Sequence, residues 1–188
     1  LGKDNSIFNQ FISEIRNILE SDDVFSCIDC LKKLGIKIRK DKEKKYLIYG
    51  KGLGSLHIKK GATLNFGNSG TLARLLIGIL SSTPNIEVKV KGDKSLNKRS
   101  MSQLLSLMNE FGAEFYPKRK KRFPLKMVSS AIPVGITYNS GVSAQLKSAV
   151  ILAGLNSFGV TNIFEKYESR DHTENILEKN SATLKKNN

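Results

Sequence analysis

The sequence has few histidines, few cysteines and no long hydrophobic run, and each shortage excludes a class of protein or site. The longest apolar run, Ala149 to Leu155, is far shorter than the ~20 residues that a membrane-spanning helix requires. A zinc site would need a second ligand pair beside the two cysteines, and the only histidines, His57 and His172, lie far apart in the sequence. We therefore expect no membrane partner, no metal and no cofactor. Residues 1–10 lack a basic segment followed by an apolar stretch, so we expect no signal peptide and a cytoplasmic location.

The two cysteines form a single C-x-x-C motif at Cys27 and Cys30. A thioredoxin-type site requires this motif at the start of a helix that follows a strand. Here both thiols lie inside a predicted helix whose apolar positions include Val24, Ile28 and Leu31. We interpret them as ordinary helix residues of a protein in a reducing compartment.

Acidic residues are scarce relative to basic ones: 31 Lys and Arg against 17 Asp and Glu give a net charge of +14. Such a charge is typical of proteins with an anionic partner, either nucleic acid, an acidic membrane or phosphorylated small molecules. A lysine-rich composition without functional meaning is an equally good explanation. The run Lys118 to Arg122 is the obvious nucleic-acid candidate, but it occupies a predicted hairpin tip without interleaved aromatic residues, which favours a solvated turn.

One unit recurs along the chain: a helix that ends at a glycine or small residue and is followed by a hairpin. The helix Ser26 to Leu34 precedes a strand at 35–38 and a return strand at 46–49. The helix Met101 to Phe111 precedes a strand at 112–115 and a return strand at 125–128. A third copy begins with the helix Asp171 to Leu177 and is cut off within Ala182 to Leu184. Its helix cap is doubtful, because Asn180-Ser181 stand where the second copy has Phe111-Gly112.

A second recurring unit is a helix that opens on small polar residues and is followed by a strand. Gly67 to Thr71 precedes the apolar run Leu75 to Leu80, and Gly141 to Gln145 precedes Ala149 to Leu155. Strands are predicted after them at 86–90 and 161–164, and another at Ile15 to Leu19. The order strand, helix, strand, helix, hairpin predicts an α/β fold of repeated βαβαββ units. The helices are apolar on more than one face, so we expect them to be largely buried beneath sheets.

The starts of these two helices have the composition of phosphate sites. A helix N-terminus presents unpaired amides and a partial positive charge, and glycine lets a ligand approach the backbone closely. In Gly67 to Thr71, simple N-capping by Asn68 or Ser69 is the alternative, but it leaves the two flanking glycines unexplained. Ser143 could likewise be a plain cap, whereas Gln145 adds a donor that a cap does not require.

Two arginines precede the other helices, where the helix dipole disfavours a cation. Arg99 precedes the helix that starts near Met101, and Arg170 precedes the helix that starts at Asp171. Because arginine binds phosphate through two parallel hydrogen bonds, cations at these positions indicate an anionic ligand. The alternative for Arg170 is a surface ion pair with Asp171 or Glu174.

Four segments together resemble the enolpyruvyl transferase family, specifically its 5-enolpyruvylshikimate-3-phosphate synthase branch. Four motifs in order and spacing are a specific signal, and the resemblance covers about Ile15 to Leu177. The segments are Gly67-Asn68-Ser69-Gly70-Thr71 with Arg74-Leu75-Leu76, Gly92-Asp93-Lys94-Ser95-Leu96 with Lys98-Arg99-Ser100-Met101, Ser143-Ala144-Gln145-Leu146-Lys147-Ser148-Ala149 with Leu152-Ala153-Gly154-Leu155, and Ser169-Arg170-Asp171-His172-Thr173-Glu174.

The resemblance implies an architecture of two lobes. Each lobe of the family holds three βαβαββ units around a pseudo-threefold axis, in an inside-out α/β barrel, and the substrates bind between the lobes. We expect this chain to be a fragment, a single lobe from the first half of the sequence, truncated at both ends. Its units would be a partial one at 1–52, a full one at 53–130 and a partial one at 131–188. The parent enzyme is expected to be monomeric.

The resemblance also implies the reaction and the binding residues. The family transfers the enolpyruvyl group of phosphoenolpyruvate to the 5-hydroxyl of shikimate-3-phosphate, by addition and then elimination of phosphate, on the route to chorismate and aromatic amino acids. No metal or cofactor takes part. The implied phosphoenolpyruvate residues are Gly70, Arg99 and Gln145, the implied shikimate-3-phosphate residues are Ser143, Ala144, Gln145 and Arg170, and the supporting residues are Asn68, Thr71 and Ser169.

Three departures from the family pattern limit this expectation. The family's opening motif, whose lysine contacts both substrates, is only echoed by Leu1 to Ser6, and Ser100 replaces the usual proline after the arginine. The second lobe, with its catalytic Asp, Glu, Lys and two Arg residues, has no counterpart in the chain. We therefore predict no turnover by this chain alone. A catalytically dead paralogue and a basic nucleic-acid-binding module are the alternative hypotheses.

Overall fold

The computed structural model describes residues 12–180, which fold as three successive α/β segments. The first segment contains β1 (Ile12–Ile15), α1 (Asp22–Lys33), β2 (Lys37–Lys40) and β3 (Tyr46–Tyr49). The second contains β4 (Thr63–Asn65), α2 (Gly70–Ser82), β5 (Glu87–Lys91), a 3₁₀ turn (Leu96–Lys98), α3 (Ser102–Glu110), β6 (Glu114–Tyr116) and β7 (Leu125–Val128). The third contains β8 (Thr137–Ser140), α4 (Ala144–Gly154), β9 (Asn162–Glu165) and α5 (His172–Lys179).

The three segments are versions of one βαβαββ unit. The middle segment forms a four-stranded sheet in the order β4-β5-β7-β6, in which β4 and β5 are parallel and the other pairs are antiparallel. The first segment repeats the β5-β7-β6 part as β1-β3-β2, and the third repeats the parallel β4-β5 pair as β8-β9. The predicted α/β class and the repeat are confirmed.

Both predicted helix ends at glycine are confirmed. Gly35 and Gly112 follow α1 and α3 with φ of 85° and 93°, a left-handed backbone that glycine adopts without a Cβ clash. After α3, the Gly112 amide donates to Asn109 O and the Ala113 amide donates to Met108 O. These bonds satisfy the last helix carbonyls and turn the chain into the hairpin.

Some sequence predictions were wrong or lie outside the described residues. The strand predicted at Ile15 to Leu19 is instead β1 at Ile12–Ile15, and Asn17 has φ of 53°, which ends the extended backbone. Helix α1 begins at Asp22, earlier than the predicted helix segment Ser26 to Leu34, because Ser21 caps it ahead of two acidic residues in the first turn. The end of the third copy at Ala182 to Leu184 and the echo at Leu1 to Ser6 lie outside the described residues.

Helices α2 and α4 form the centre of the core and pack directly against each other. A Cβ on Gly78 would lie 2.5 Å from the Ala149 carbonyl oxygen and 2.9 Å from its Cα, so the two backbones are in close contact. The prediction of largely buried helices is confirmed for α2 and α4. It was wrong for α1 and α5, each of which buries a single residue and exposes a polar face to solvent. None of the helices between residues 12 and 180 is long and apolar enough to cross a membrane.

Candidate functional site

The N-terminus of α2 is formed by the predicted segment Gly67 to Thr71. Ser69 is the N-cap: its Oγ accepts the Leu72 amide at 3.4 Å, and the side chain is almost completely buried. The amides of Gly70 and Thr71 precede the first intrahelical bond and point out of the helix. The capping hypothesis is therefore confirmed for Ser69. It was wrong for Asn68, whose Oδ1 accepts from Arg99 Nη2 at 2.8 Å.

Two arginine side chains flank Gly70. Arg74 Nη1 donates to the Gly70 carbonyl at 2.9 Å, and a Cβ on Gly70 would lie 2.9 Å from Arg74 Nη1 and 3.2 Å from Arg99 Nη1. Burial, and secondly the nearby charge of Arg99, lower the pKa of Arg74. In the part of the chain that the structure describes, neither guanidinium forms an ion pair with a carboxylate. Two adjacent cations beside outward-facing amides favour an anionic ligand.

The N-terminus of α4 lies beside that of α2. Ser143 caps α4, with its Oγ accepting the Leu146 amide at 3.4 Å, so its role as a plain cap is confirmed. Gln145 is not needed for capping, since its Nε2 donates to Thr71 Oγ1 at 2.8 Å and joins the two helix starts. Ala144 is the first residue of α4, and its amide points out of the helix as the amides of Gly70 and Thr71 do in α2.

A cleft of about 310 Å³ adjoins these helix starts and reaches the first turn of α3. Its wall includes Arg74 from α2, Ser143 from the start of α4, and Ser102 and Gln103 from α3. Ser100, at the position where the family pattern has proline, also lines the cleft. Its Oγ lies 3.1 Å from the Oγ of Ser102. The cleft is polar and is built by three different helices.

Ser169 and Arg170 lie on the segment between β9 and α5. Ser169 donates to Glu165 Oε1 twice, from its Oγ at 2.9 Å and from its amide at 3.3 Å. Arg170 is exposed and forms no ion pair within residues 12–180. The alternative of a surface ion pair with Asp171 or Glu174 was therefore wrong, and the Glu174 carboxylate is bound to Lys147.

The structure places two further charged residues at the site that the sequence analysis did not assign. Arg74 lies four residues after Gly70, a spacing that puts both on one helix face, and this could have identified it. Lys147 is the one charged residue of α4 and is buried, with its Nζ 2.6 Å from Glu174 Oε1 and 3.0 Å from Glu165 Oε2. Its position among apolar residues of a predicted helix could have identified Lys147, because charged residues are rarely buried unless they are paired.

The buried lysine and its partners affect each other's ionisation. Burial by itself would lower the pKa of Lys147, but hydrogen bonds from its ammonium group to Glu174 and Glu165 outweigh burial and raise it. For Glu165, burial would raise the pKa, but the bonds from Lys147 and Ser169 lower it. Lys147 and Glu165 are therefore held in their charged forms at neutral pH.

The other candidate residues belong to elements other than α2 and α4. Residues 118–122 form an exposed turn between β6 and β7, which confirms the solvated hairpin tip. Cys27 and Cys30 lie inside α1 as free thiols, as predicted. Residues 12–180 contain no cluster of three or more His, Cys, Asp or Glu side chains that could hold a metal ion.

Comparisons with known proteins identify relatives for nearly the whole chain. The family model of EPSP synthase (3-phosphoshikimate 1-carboxyvinyltransferase) matches residues 7–188. A 3-phosphoshikimate 1-carboxyvinyltransferase of Paramagnetospirillum magneticum is 37% identical over 174 residues, which are 92% of this chain and 39% of that protein. The Bacillus subtilis protein of the same name is 40% identical over 164 residues, 87% of this chain and 38% of its own length.

A solved structure shows the same fold. The EPSP synthase of Acinetobacter baumannii superposes with a TM-score of 0.85 at 31% identity, covering 95% of this chain and 40% of that one. The match confirms the predicted lobe of the enolpyruvyl transferase fold. The chain spans about two fifths of the length of the relatives that it matches.

Proposed function

The chain belongs to the EPSP synthase family, and we propose that it is the part of a 3-phosphoshikimate 1-carboxyvinyltransferase that binds shikimate-3-phosphate and phosphoenolpyruvate. One observation carries this proposal: two adjacent guanidinium groups flank the outward-facing amides at Gly70 without a carboxylate partner among residues 12–180. Arg74 is half-buried beside a second cation at a helix start, an arrangement that a bound anion would stabilise. Both substrates of the reaction carry phosphate.

The two substrates bind to different donors in this proposal and share only Gln145. Phosphoenolpyruvate binds to the Gly70 amide, Arg99 and Gln145, and Arg74 adds a second cation beside Gly70. Shikimate-3-phosphate binds to the start of α4 through Ser143, Ala144 and Gln145, and Arg170 holds its phosphate. The contact between Gln145 and Thr71 supports a shared site, because it joins the two helix starts. Asn68, Thr71 and Ser169 have supporting roles, since each orients a neighbouring donor or carboxylate.

The proposed chemistry is a transfer of the enolpyruvyl group. The 5-hydroxyl oxygen bonds to C2 of phosphoenolpyruvate while C3 gains a proton and the hydroxyl loses its own. C3 then loses a proton and the C2–O bond to phosphate breaks, which releases inorganic phosphate. Arginines and amides at Gly70 stabilise the departing anion electrostatically. We assign the proton transfers to groups outside residues 12–180, in the portion of the relatives that this chain does not match.

The architecture of the proposal follows the repeat. We assign residues 1–52, 53–130 and 131–188 to three units of one lobe, which faces a second lobe of the same monomeric enzyme across the substrates. A cytoplasmic location belongs to this proposal, and free thiols at Cys27 and Cys30 support it because they are typical of a reducing compartment.

Calorimetry with shikimate-3-phosphate tests the proposal. The unaltered chain should release heat on binding, and Arg170→Ala should weaken affinity about 10- to 100-fold, the range for a lost hydrogen bond to a charged group. Ser143→Ala should also weaken it. Arg119→Ala in the basic turn is the matched control and should leave affinity unchanged. Equal affinities of all four proteins would show that the assigned residues do not form the site.

Two further measurements separate the alternatives. A nucleic-acid-binding module would bind oligonucleotides with an affinity that falls steeply with salt, would lose affinity with Arg119→Ala and would tolerate loss of Gln145. A catalytically dead paralogue would bind the substrate but give no product when the complementary lobe of a relative is added. Product formation under those conditions would exclude the dead paralogue.

A further inference from the structure

A lysine is buried where the third segment is assembled. Lys147 is 1% exposed, yet it lies on α4, whose other buried residues are small or apolar apart from Ser148. Its ammonium group bonds to Glu174 on α5 and to Glu165 at the end of β9. One side chain therefore connects the three elements α4, β9 and α5.

The network continues from Lys147 to the segment that carries Arg170. Glu165 uses one carboxylate oxygen for Lys147 and the other for the Oγ and amide of Ser169, the residue directly before Arg170. A second link joins the same elements, since Ser148 Oγ lies 2.7 Å from Thr173 Oγ1. The segment before α5 is thus bonded to α4 at both of its ends.

The same lysine is also aligned with the start of α4. Lys147 follows Ser143 by four residues, and its amide donates to the Ser143 carbonyl at 3.1 Å, so the two residues share one face of the first turn. The residues proposed to bind the sugar-like substrate and the arginine proposed to bind its phosphate are therefore connected through one ammonium group.

Stability alone is a poor explanation for such a network. A buried ion pair contributes no more to stability than well-packed apolar residues of similar volume, whereas removing one partner leaves an uncompensated charge. Glu174 Oε2 is buried without a hydrogen-bond partner in the described part of the chain, so this carboxylate already depends on Lys147 alone. What the charged network provides beyond stability is a defined geometry.

We propose that Lys147 is a positioning residue, which through Glu165 and Glu174 fixes the Ser169–Arg170 segment relative to the start of α4 so that Arg170 meets the phosphate of shikimate-3-phosphate. This inference rests on the proposed function, because the Ser169–Arg170 segment and the start of α4 are the two parts of the proposed shikimate-3-phosphate site. Lys147 itself does not touch the substrate.

A double-mutant cycle on the full chain tests the inference. Glu165→Gln breaks the link at a partly exposed position, and Lys147→Met removes the ammonium group. Each should weaken affinity for shikimate-3-phosphate by about 10-fold, within the range seen for residues of one bonded network. In an Arg170→Ala background neither change should weaken it further. Affinity for phosphoenolpyruvate should stay unchanged, and Lys147→Arg, which keeps the cation, should retain most of the affinity.

The controls separate positioning from loss of structure. Lys126→Met breaks the exposed ion pair between Lys126 and Glu87 on β7 and β5, and it should affect neither ligand. An equal loss of affinity in both backgrounds, or an equal loss for both ligands, would overturn the inference. If Lys147→Met does not fold, Glu165→Gln carries the test alone.

Failure of the proposed function would be visible separately. If the unaltered chain binds neither ligand, the proposed function is wrong, and hydrogen exchange of residues 166–171 then tests the positioning. Faster exchange there in Glu165→Gln, with unchanged exchange in α2, would show that the network holds the segment. Unchanged exchange in both regions would overturn that part as well.

Discussion

Replacing Gly78 with alanine places a methyl group against the backbone of the neighbouring helix α4. The new Cβ would lie 2.5 Å from the Ala149 carbonyl oxygen, whereas ordinary contact begins near 3.4 Å, so the helices must separate by roughly 0.9 Å. The atoms in the way belong to the main chain and cannot rotate aside. Separation would loosen the packing of the most buried helix pair in the described chain.

The magnitude follows from two opposing effects. Alanine in place of glycine stabilises a helix by about 1 kcal/mol, and overpacking of a filled core costs about 1–3 kcal/mol. We expect a net loss of about 1–2 kcal/mol, because here the obstacle is backbone and the cost lies in the upper part of its range. For a chain of this size, that loss lowers the melting temperature by roughly 2–8 °C.

Thermal unfolding followed by circular dichroism measures this change. Gly141→Ala is the matched control, because a Cβ at Gly141 meets no atom within 4 Å, and its melting temperature should stay within about 2 °C of the unaltered chain. The Gly78 variant should also bind both ligands less tightly, since α2 and α4 carry the two helix starts. A melting temperature for Gly78→Ala at or above that of the unaltered chain would refute the close packing.

Three more predictions concern single groups. Gly70→Ala should displace the Arg74 and Arg99 guanidinium groups. It should weaken phosphoenolpyruvate binding about 10-fold with little change in the stability of the chain. Unchanged affinity would contradict the arginine site. The pKa of Glu165 is lowered, so its stabilising effect is complete above about pH 4.3 and lost as pH falls through the folded pKa. The melting-temperature advantage over Glu165→Gln should therefore disappear in acid, and a constant difference would contradict the ion pair. Burial, with a smaller effect of nearby charges, raises the pKa of the Cys30 thiol to about 12. Alkylation of Cys30 by iodoacetamide at pH 8 should therefore be roughly a thousandfold slower than alkylation of a free thiol. Equal rates would contradict the burial of Cys30.

The fold was accessible to sequence reasoning because its signals are local. The change from a helical to an alternating pattern at Gly112 marks a helix end, and the backbone there adopts the predicted left-handed conformation. The return strands at 46–49 and 125–128 have the predicted bounds, since alternating residues between polar turns define them. The strand at Ile15 to Leu19 was misplaced, because its apolar residues do not reveal that Asn17 turns the chain.

The site was only partly accessible, because its contacts join residues far apart in the chain. The helix start at Ser69 follows from local composition, but the bond between Gln145 and Thr71 spans 74 residues and depends on how α2 and α4 pack. Lys147 was missed for a related reason: a lysine within an apolar helix pattern is usually solvated, and only the tertiary structure reveals its buried carboxylate partners.

The helix starts at Gly70 and Ala144 have a consequence for how this protein can vary. Main-chain donors are the same for every residue except proline, so an exchange of side chains at these positions leaves the amides in place. What an exchange does alter is the space above the amide, as the short distances from Gly70 to two guanidinium groups show. Natural variation at the proposed anion site is therefore constrained by side-chain volume more than by side-chain chemistry.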